Sequence, residues 1–478
     1  MKKSWLFNSL LVIGSLIITF IIAEAVFRLM LYSKTSSFKH LREPSAYAIY
    51  IKEELEDFYN DDYWKLHFRF KVKKNNELPP NPILGWTGQF YWDTLGHYNY
   101  PQLGNRKPVL LYGDSFAQCV DTVQCFEDIL NGDSLFSEKY FLLNYGVGGY
   151  GIDQICLLLE NTMDKFDNPF VVLSFLTTDM DRCLLKFRDG QKPYFVINNG
   201  NLELKGVPIT MGAKEYVEKN PPKVTSYLFN RFRNSKLYPV KQRKSKKQEL
   251  IKQIKALNKA ILEKAFTGLK ERNIDFLVVI FQPEHHPADN WRLNFLKEIC
   301  KENKVPYMCD LDIRKADPNF TPFDVFNYTI KNDGHPTSYM NTLVASEIKK
   351  FMTDTAFKQQ ITEGTFVWES AMVKNIRYYK KAILNTPEWY ENIKEKATDR
   401  GISVDSMMVI DALFLIESEK AKTRKVIKDV DYFKKAIYSS PEWLEKIKKK
   451  AKRKGISTDS MVVLDAIFLV EEEKKNIK

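Results

Sequence analysis

The chain has 478 residues, of which 44% are hydrophobic, so it can bury a sizeable core and is long enough for two or three domains. Its formal net charge of +12 is compatible with a lysine-rich surface or with attraction to an anionic membrane or a polyanionic glycan. It carries no zinc-finger, helix-turn-helix or RNA-binding signature, which argues against nucleic acid as a partner.

Its six cysteines show neither C-x-x-C spacing nor a Cys/His cluster. They predict no disulfide framework and no zinc site, and most are expected to be small buried apolar residues.

The N-terminal residues 4–29 are predicted to form a transmembrane anchor. An uncharged stretch from Ser4 to Ala23 follows two lysines, and at about 1.5 Å per residue it would span about 30 Å, the thickness of a bilayer core. The alternative is a cleaved signal peptide, because Ala23-Glu24-Ala25 resembles a small-x-small cleavage site. The stretch exceeds a usual signal-peptide core and its helical pattern continues past that site, so an uncleaved single-pass anchor is favoured. Basic residues on both sides leave its orientation open.

Residues 30–80 are predicted to be a juxtamembrane connector and residues 81–355 a globular α/β domain. Within that domain, short apolar runs typical of buried strands alternate with helical patterns. The alternation predicts a parallel sheet with helices on both faces, a three-layer α/β/α fold. Residues from about 186 to 246, rich in Asn, Pro, Lys and Arg, interrupt it and are interpreted as an insertion near the strand ends. The predicted strands are 108–113, 140–146, 170–176, 275–282 and 306–311, and the predicted helices are 126–131, 152–166, 247–271, 291–303 and 338–352.

Residues 370–478 contain two copies of one sequence, 378–419 and 432–473, offset by 54 residues without a gap. Each copy predicts three short helices, giving an all-α tandem repeat. In the first copy, Pro387 begins the second helix and Gly401 ends it. The nearly continuous apolar run 407–416 predicts a third helix that is buried on most sides. Two copies are few for a solenoid, so packing on each other, on the preceding domain or on a protein partner all remain open.

A candidate nucleophile follows the first predicted strand, at Gly113-Asp114-Ser115. A serine hydroxyl needs a base to take its proton, and that base is usually a histidine oriented by a carboxylate. His335, with Asp333 two residues before it, lies just before the last helix of the α/β domain. Each motif alone is also compatible with ordinary turn chemistry. Their combination at opposite ends of one α/β domain favours a catalytic Ser115, His335 and Asp333.

The glycine-rich segment from Asn144 to Gly151 lies between a predicted strand and a predicted helix. A glycine there lets a backbone N–H approach a developing oxyanion without interference from a Cβ. The competing interpretation is a phosphate-binding turn. The glycine spacing is not G-x-G-x-x-G and no P-loop lysine follows, so no nucleotide cofactor is predicted. The scattered cysteines and histidines likewise predict no metal site.

These motifs together resemble the SGNH/GDSL hydrolase family, in particular its membrane-anchored bacterial branch. The resemblance covers roughly residues 81–352 and the anchor, where "AEAVFRL" and "NPILGW" also match, but it does not cover the repeat. It implies a flavodoxin-like SGNH fold with Ser115 as nucleophile, Gly149 in the oxyanion hole, His335 as base and Asp333 as its partner. It further implies a serine esterase or O-acyltransferase acting on acylated envelope glycans, with its catalytic domain on the extracytoplasmic (periplasmic) side.

Two departures from the family pattern bear on activity. Thr178 stands where the family usually places an Asn whose amide completes the oxyanion hole. A hydroxyl can donate one hydrogen bond, and loss of one oxyanion donor commonly costs about 10²–10³ in rate. Asn332 stands where many members place the Asp, and the D-x-H spacing resembles acyltransferase-like relatives. The alternative hypothesis is therefore a catalytically impaired binding protein that recruits a partner through its helical repeats.

Other polar and aromatic residues have simpler interpretations. His285 and His286 are adjacent in sequence, point in different directions in any regular structure and have no evident third ligand, so a metal site is not favoured. Asp179 and Arg182 are interpreted as a structural salt bridge. Trp86 and Trp92 could stack on sugar rings, but core packing is more common for such residues.

Overall fold

The computed structural model describes residues 2–33, 35–48, 60–71, 80–87, 103–235, 244–283, 291–320, 325–423, 430–454 and 458–476. The chain divides into two units, Met1–Ala371 and Met372–Lys478, each of which is described by itself. The predicted histidine pair at 285–286 and Trp92 lie outside the described residues.

The first unit is built on a parallel sheet, as the alternating pattern predicts. The strands are β1 (Lys107–Gly113), β2 (Tyr140–Gly146), β3 (Phe170–Leu176), β4 (Tyr194–Asn198), β5 (Asn201–Lys205), β6 (Phe276–Phe281) and β7 (Tyr307–Cys309). Five of them pair in the order β2-β1-β3-β6-β7, and in the central register Val109 of β1 lies beside Leu142 of β2 and Phe170 of β3. A separate antiparallel hairpin, β4-β5, lies in the predicted insertion.

The helices of the first unit alternate with these strands. The sheet connections are longer than a hairpin, as parallel pairing requires. Two features differ from the sequence prediction: the last strand ends at Cys309 because a helix begins at Asp310, and the helix after β2 ends at Thr162. The helices are α1 (Lys2–Tyr32), α2 (Asp61–Lys71), α3 (Ser115–Gln118), α4 (Phe126–Asn131), α5 (Ser134–Ser137), α6 (Ile152–Thr162), α7 (Asp179–Arg182), α8 (Ala213–Lys219), α9 (Tyr227–Arg233), α10 (Lys244–Glu271), α11 (Trp291–Glu302), α12 (Asp310–Ala316), α13 (Ser338–Thr353) and α14 (Thr355–Glu363).

The sheet has helices on both faces, which makes the fold a three-layer α/β/α arrangement. Successive strand side chains point to opposite faces. Leu110 and Tyr112 of β1 pack with α6, α10 and α11, whereas Val109 and Leu111 pack with α3, α4, α5, α12 and α13. Because both faces are covered, the strands are almost entirely apolar and buried, which explains why they are recognisable as continuous apolar runs.

Helix α1 is apolar and long enough to cross a membrane, and its segment Phe7–Tyr32 has a mean hydropathy of 2.6. By length and composition a helix in this position suits either a membrane anchor or a signal sequence. Its C-terminal end packs into a small core with α2, α9 and the residues between α1 and α2. Leu31, Tyr47, Leu66 and Tyr227 are buried there.

The second unit contains the two repeat copies, and each copy forms three helices. Each copy buries an equivalent set of apolar side chains 54 residues apart: Ile383, Ile393, Ala397, Met407 and Met408 in the first, and Ile437, Ile447, Ala451, Met461 and Val462 in the second. Gly401 has φ +63° and caps the second helix of the first copy, as its position in the sequence predicts. The helices are α15 (Ala371–Leu384), α16 (Pro387–Arg400), α17 (Val404–Thr423), α18 (Val430–Ser439), α19 (Pro441–Lys454) and α20 (Thr458–Asn476).

Two sequence predictions are wrong. Helix α17 is not buried on most sides, since Ile410 and Phe414 are 40% and 69% exposed. The reason is that two short neighbouring helices can cover only one side of a third.

The second wrong prediction is the absence of disulfides, because Cys119 and Cys125 form one, with their Cα atoms 5.8 Å apart. The chain turns back directly after α3, which brings together two cysteines whose spacing matches no common framework. The other four cysteines are buried thiols, as expected.

Candidate active site

Ser115 is the first residue of α3, directly after the carboxyl end of β1. Asp114 caps this four-residue helix by accepting a hydrogen bond from the Phe116 N–H at 2.9 Å. Gly113 ends the strand, and a Cβ there would lie 2.6 Å from the Ala117 Cβ and 3.0 Å from the Ser174 Cβ. Glycine is therefore needed for so tight a turn, and the turn leaves Ser115 at the edge of the sheet.

His335 lies on the loop that leads into α13. The loop is held by its own backbone: the Ile330 N–H donates to the His335 carbonyl at 2.8 Å, and the Thr337 N–H donates to the Tyr328 carbonyl at 3.0 Å. The imidazole lies against the Phe116 ring, with 5.1 Å between ring centroids. The loop and the strand-to-helix turn thus place His335 beside Ser115, although 220 residues separate them in sequence.

The structure brings Ser115, His335 and Asp333 together. The Nε2 atom of His335 lies 2.9 Å from the Ser115 Oγ, and its Nδ1 contacts Oδ1 of Asp333. The same carboxylate oxygen accepts the backbone N–H of His335 at 3.2 Å. Burial acts to raise the pKa of Asp333, but the hydrogen bonds from His335 outweigh it and lower that pKa below its usual value. An ionised carboxylate at Nδ1 fixes the tautomer in which Nε2 can accept the serine proton.

The two predicted oxyanion residues have different surroundings. Thr178 lines the cavity that contains Ser115 and His335, and its hydroxyl makes no capping bond to α7. Gly149 has φ +84°, and a side chain there would overlap the guanidinium of Arg188. The preceding Gly148 donates its N–H to Oε1 of Gln118, in α3, at 2.6 Å. The glycine-rich turn is therefore fixed beside the nucleophile, with the Arg188 guanidinium packed against Gly149.

A cavity of about 370 Å³ opens at these residues, a volume that suits a small ligand. Two parts of its wall could not be assigned from sequence. Trp64 comes from the predicted juxtamembrane connector, and Arg188 comes from the predicted insertion. Besides Ser115, His335 and Asp333, the wall includes Trp64, Thr178, Asp181, Arg182, Leu185 and Arg188.

Arg182 ties the cavity wall to the nucleophile's turn. Its Nη1 lies 3.1 Å from a carboxylate oxygen of Asp114 and 2.5 Å from one of Asp179, so the predicted Asp179–Arg182 salt bridge is confirmed. Burial and the neighbouring Asp114 carboxylate raise the pKa of Asp179 well above its usual value. Burial alone would lower the pKa of Arg182, but the two carboxylates raise it. Arg182 therefore stays charged and holds Asp114, the cap of α3, in place.

Arg188 keeps donor capacity beside the cavity. Its Nη1 pairs with the Asp189 carboxylate, and its guanidinium carbon lies 4.5 Å from the centroid of the Trp64 ring. Its Nε is buried and has no hydrogen-bond partner among the residues that the structure describes, and burial lowers the pKa of the guanidinium. A buried donor without a partner is costly unless a ligand supplies one, so this guanidinium is a candidate contact for substrate oxygen atoms.

Helix α2 positions both Trp64 and the segment before Arg188. The Asp61 carboxylate accepts the backbone N–H groups of Lys186 and Phe187 at 2.8 and 3.1 Å. The sequence did contain a signal for this helix. Asn60 accepts the Tyr63 N–H at 3.0 Å, and Asn followed by two aspartates is a typical helix start.

No protein-family model matches the chain, and no curated protein matches it. Among solved structures, a catalytic mutant of an acetylxylan esterase from Geobacillus stearothermophilus is 12% identical, covering 53% of this chain and 96% of that one, with a TM-score of 0.27. An alpha/beta hydrolase from the metagenome of Lake Arreo, Spain, is 11% identical, covering 51% of this chain and 93% of that one, with a TM-score of 0.26. At such scores the likeness carries no argument about chemistry, which rests instead on the geometry above.

Proposed function

We propose that this chain is a serine esterase or O-acyltransferase of the SGNH/GDSL type, held at a membrane by α1 and acting on acyl esters of envelope glycans. The observation that carries the proposal is the 2.9 Å contact between Ser115 Oγ and His335 Nε2, with Asp333 at the opposite nitrogen. A hydroxyl, an imidazole and a carboxylate in this order are the parts that nucleophilic acyl transfer requires.

In the proposed reaction, the Ser115 oxygen attacks the ester carbonyl carbon while its proton passes to His335 Nε2. The resulting oxyanion accepts hydrogen bonds from the backbone N–H groups of Ser115 and Gly149 and from the Thr178 hydroxyl. The imidazolium then gives its proton to the departing alcohol oxygen, leaving an acyl group on Ser115. A second hydroxyl, from water or from a sugar, loses its proton to His335 as it attacks the acyl carbon. The imidazolium then returns this proton to the Ser115 oxygen as the bond between that oxygen and the acyl carbon breaks, which frees the serine.

The cavity wall supports a carbohydrate substrate. The Trp64 ring offers an apolar face of the kind on which sugar rings pack, and the Arg188 guanidinium beside it offers donors to hydroxyl or carbonyl oxygens. Water as the acceptor makes the enzyme an esterase, whereas a bound sugar hydroxyl makes it a transferase.

Two contacts support an anchored, extracytoplasmic enzyme. The Cys119–Cys125 disulfide directly follows the nucleophile helix, and disulfides persist in oxidising compartments such as the periplasm. Glu24 accepts hydrogen bonds from Ser226, Tyr227 and Leu228, so signal-peptide cleavage after Ala25 would remove a side chain that caps α9.

Labelling with a fluorophosphonate probe tests the proposal directly. The full-length protein should be labelled, and Ser115→Ala should not be. Ser403→Ala is the matched control, because it removes a serine whose oxygen accepts the Ser406 N–H at 3.1 Å, in the second unit. Turnover of an acetylated oligosaccharide, with and without an acceptor sugar, then separates hydrolysis from transfer. Absence of labelling in the unaltered protein would contradict a serine enzyme.

A second candidate function is a binding protein with the fold but without turnover. It is favoured by Thr178 in place of an amide donor and by Arg188 lying over Gly149. This candidate predicts no labelling of either form, but unchanged binding of an acylated oligosaccharide to Ser115→Ala measured by calorimetry.

A further inference from the structure

Helix α9 (Tyr227–Arg233) is attached to the C-terminal end of α1 by a series of polar contacts. Both carboxylate oxygens of Glu24 accept hydrogen bonds from residues 226–228 at 2.9–3.0 Å. The Arg28 guanidinium donates to the Thr225 carbonyl at 3.0 Å and lies 5.1 Å from the centroid of the Tyr227 ring. The hydroxyls of Tyr32 and Tyr227 are 2.7 Å apart. Helix α9 is therefore fixed beside the last turns of α1.

These contacts place α9 at a definite height along α1. The uncharged stretch of α1 ends at Ala23, and the exposed apolar side chains between Phe7 and Ile22 precede it. If that stretch crosses the bilayer core, Glu24 lies where the core ends. At about 1.5 Å per residue, the contacts from Glu24 to Tyr32 extend over about 12 Å beyond it. The headgroup region of one leaflet extends about 5–8 Å beyond the core, so the contacts at Glu24 and Arg28 fall within it and those at Tyr32 lie just outside it.

The two faces of α9 differ. One face is held by the protein: Tyr227 and Asn230 are buried, and the Asn230 amide donates to the Tyr47 carbonyl at 2.8 Å. The other face presents Phe229 and Phe232, which are 44% and 50% exposed and lie three residues apart on one side of the helix. Because the buried face is fixed, the two aromatic rings cannot turn inward without losing those contacts.

We propose that α9 is a second membrane contact, with Phe229 and Phe232 inserted among the lipid headgroups on the side where the globular domain lies. Aromatic rings on one face, with Arg233 in the last turn of the same helix, are typical of a segment that lies in the membrane interface. Arg231 is on the protein side, where its guanidinium donates to the Tyr47 hydroxyl at 3.4 Å. The occupant of this face is the bilayer and not another protein, because the α9 end of the contacts joins α1 at Glu24, directly after the stretch that would cross the bilayer core.

The contact has a consequence for the candidate active site. Leu66 of α2 is buried in the same small core as Leu31 of α1, and Phe70 packs against that core. Trp64 lies on α2 only six residues before Phe70, about 9 Å along the helix axis, and it lines the cavity. A domain held at two points on the membrane would keep that cavity at a constant height above the bilayer.

The test uses the full-length chain in lipid nanodiscs containing one copy each, with single cysteines labelled by an environment-sensitive fluorophore. The four native thiols are buried, which favours labelling of the introduced position. The variants are Phe232→Cys for the proposed contact, Leu135→Cys as a 72% exposed control on α5, and Ile17→Cys as a 55% exposed control on α1. Quenching is measured with lipids that carry a nitroxide at the headgroup or in the middle of the acyl chain.

We expect headgroup nitroxide to quench the label at 232 at least twofold more than the label at 135, and acyl-chain nitroxide to quench the label at 17. If the label at 17 is quenched and the label at 232 behaves like that at 135, the proposal is overturned while the anchor stands. If the label at 17 is not quenched, the anchor itself fails. A label at 232 that is shielded from water but not quenched by lipid indicates a protein on this face and also overturns the proposal.

Discussion

The two units of this chain differ in where they place polar side chains. In the described part of the first unit, buried polar and charged residues gather at the carboxyl ends of the strands, among them Asp114, Ser174, Thr177, Asp179 and Gln282. In the described part of the second unit, the buried side chains of the two copies are apolar. Its ion pairs, such as Lys396 with Asp411 at 3.0 Å, include an exposed partner.

The comparison shows what burial of polar groups costs and what it indicates. A buried charge is costly unless it is paired, and a buried polar atom is costly unless it is hydrogen-bonded. Within the described residues, several atoms of this cluster have no hydrogen-bond partner, among them the hydroxyls of Ser174 and Thr177 and the side-chain amide of Gln282. In the first unit, this cluster surrounds a cavity and a hydroxyl–imidazole–carboxylate set. The repeat has no comparable cluster among its described residues.

The largest difference is expected for a carboxylate-to-amide change. Asp333→Asn should lower kcat by about 10²–10⁴, because the amide no longer stabilises the imidazolium and favours the wrong tautomer. Asp411→Asn, in a carboxylate that accepts the Trp389 Nε1–H at 3.1 Å, should leave kcat unchanged. Steady-state hydrolysis of a small acetyl ester measures both. Equal effects of the two changes would contradict the assignment of catalysis to the first unit.

Features of the first unit that depend on local sequence can be predicted, whereas those that depend on contacts between distant segments cannot. The strands of the sheet, Ser115 and His335 are predictable because continuous apolar runs and short motifs report local structure. Trp64 and Arg188 are not, because the cavity wall they form comes from segments more than 120 residues apart that are joined by the Asp61 contacts. The exposed side of α17 could not be predicted for a related reason. The apolar composition of a helix does not determine how many other helices pack against it.

The next effect in size concerns charge burial. Asp181 and Arg292 form two hydrogen bonds, at 3.0 and 2.7 Å, with only 6% and 3% of their side chains exposed. Arg292→Met should destabilise the first unit by about 3–5 kcal/mol, because it leaves the Asp181 carboxylate buried without this partner. Lys396→Met removes a 45% exposed partner and should cost the second unit about 0.2–1 kcal/mol.

Hydrogen exchange resolved along the chain measures each unit separately. Exchange in β3 and β6 should accelerate in Arg292→Met, while α16 and α17 should keep their protection. Asp181→Asn in addition to Arg292→Met should restore part of the loss, since no charge is then left buried at this position. A stability loss below 1 kcal/mol in Arg292→Met would mean that water or another group reaches Asp181.

The stability of the two units should depend differently on pH because of Asp310. Burial raises the pKa of this carboxyl group to about 7, although Arg314 and the hydrogen bond from the Gln282 N–H act to lower it. The folded state retains a proton that the unfolded chain releases near pH 4. The stability of the first unit should therefore fall as the pH rises from about 4 to about 7 and then level off, a contribution of up to about 4 kcal/mol.

Asp310→Asn keeps an oxygen that can accept the Gln282 N–H, now at 3.0 Å, and has no titrating proton. Denaturant unfolding of the first unit between pH 4 and 8 should show a smaller decline for this variant than for the unaltered protein. The described second unit has no buried carboxyl group, so its stability should not show this decline. Identical pH profiles for both forms would contradict a proton on Asp310.

A small effect is expected for an exchange of one buried residue between the two repeat copies. Met408 and Val462 occupy equivalent buried positions, 6% and 0% exposed, in two cores that otherwise match residue for residue at Ile393/Ile447 and Ala397/Ala451. Met408→Val should cost the second unit less than about 1.5 kcal/mol, because the position already accepts valine in the other copy and the core can close around a smaller side chain.

Ile393→Ala is the contrasting change, at a position that is isoleucine in both copies, and it should cost about 2–5 kcal/mol. Hydrogen exchange in α16 and α17 measures both, and turnover of the acetyl ester should be unaffected by either. If Met408→Val costs as much as Ile393→Ala, the two copies do not share one packing scheme, and their sequence similarity must then be explained by what binds to their surfaces.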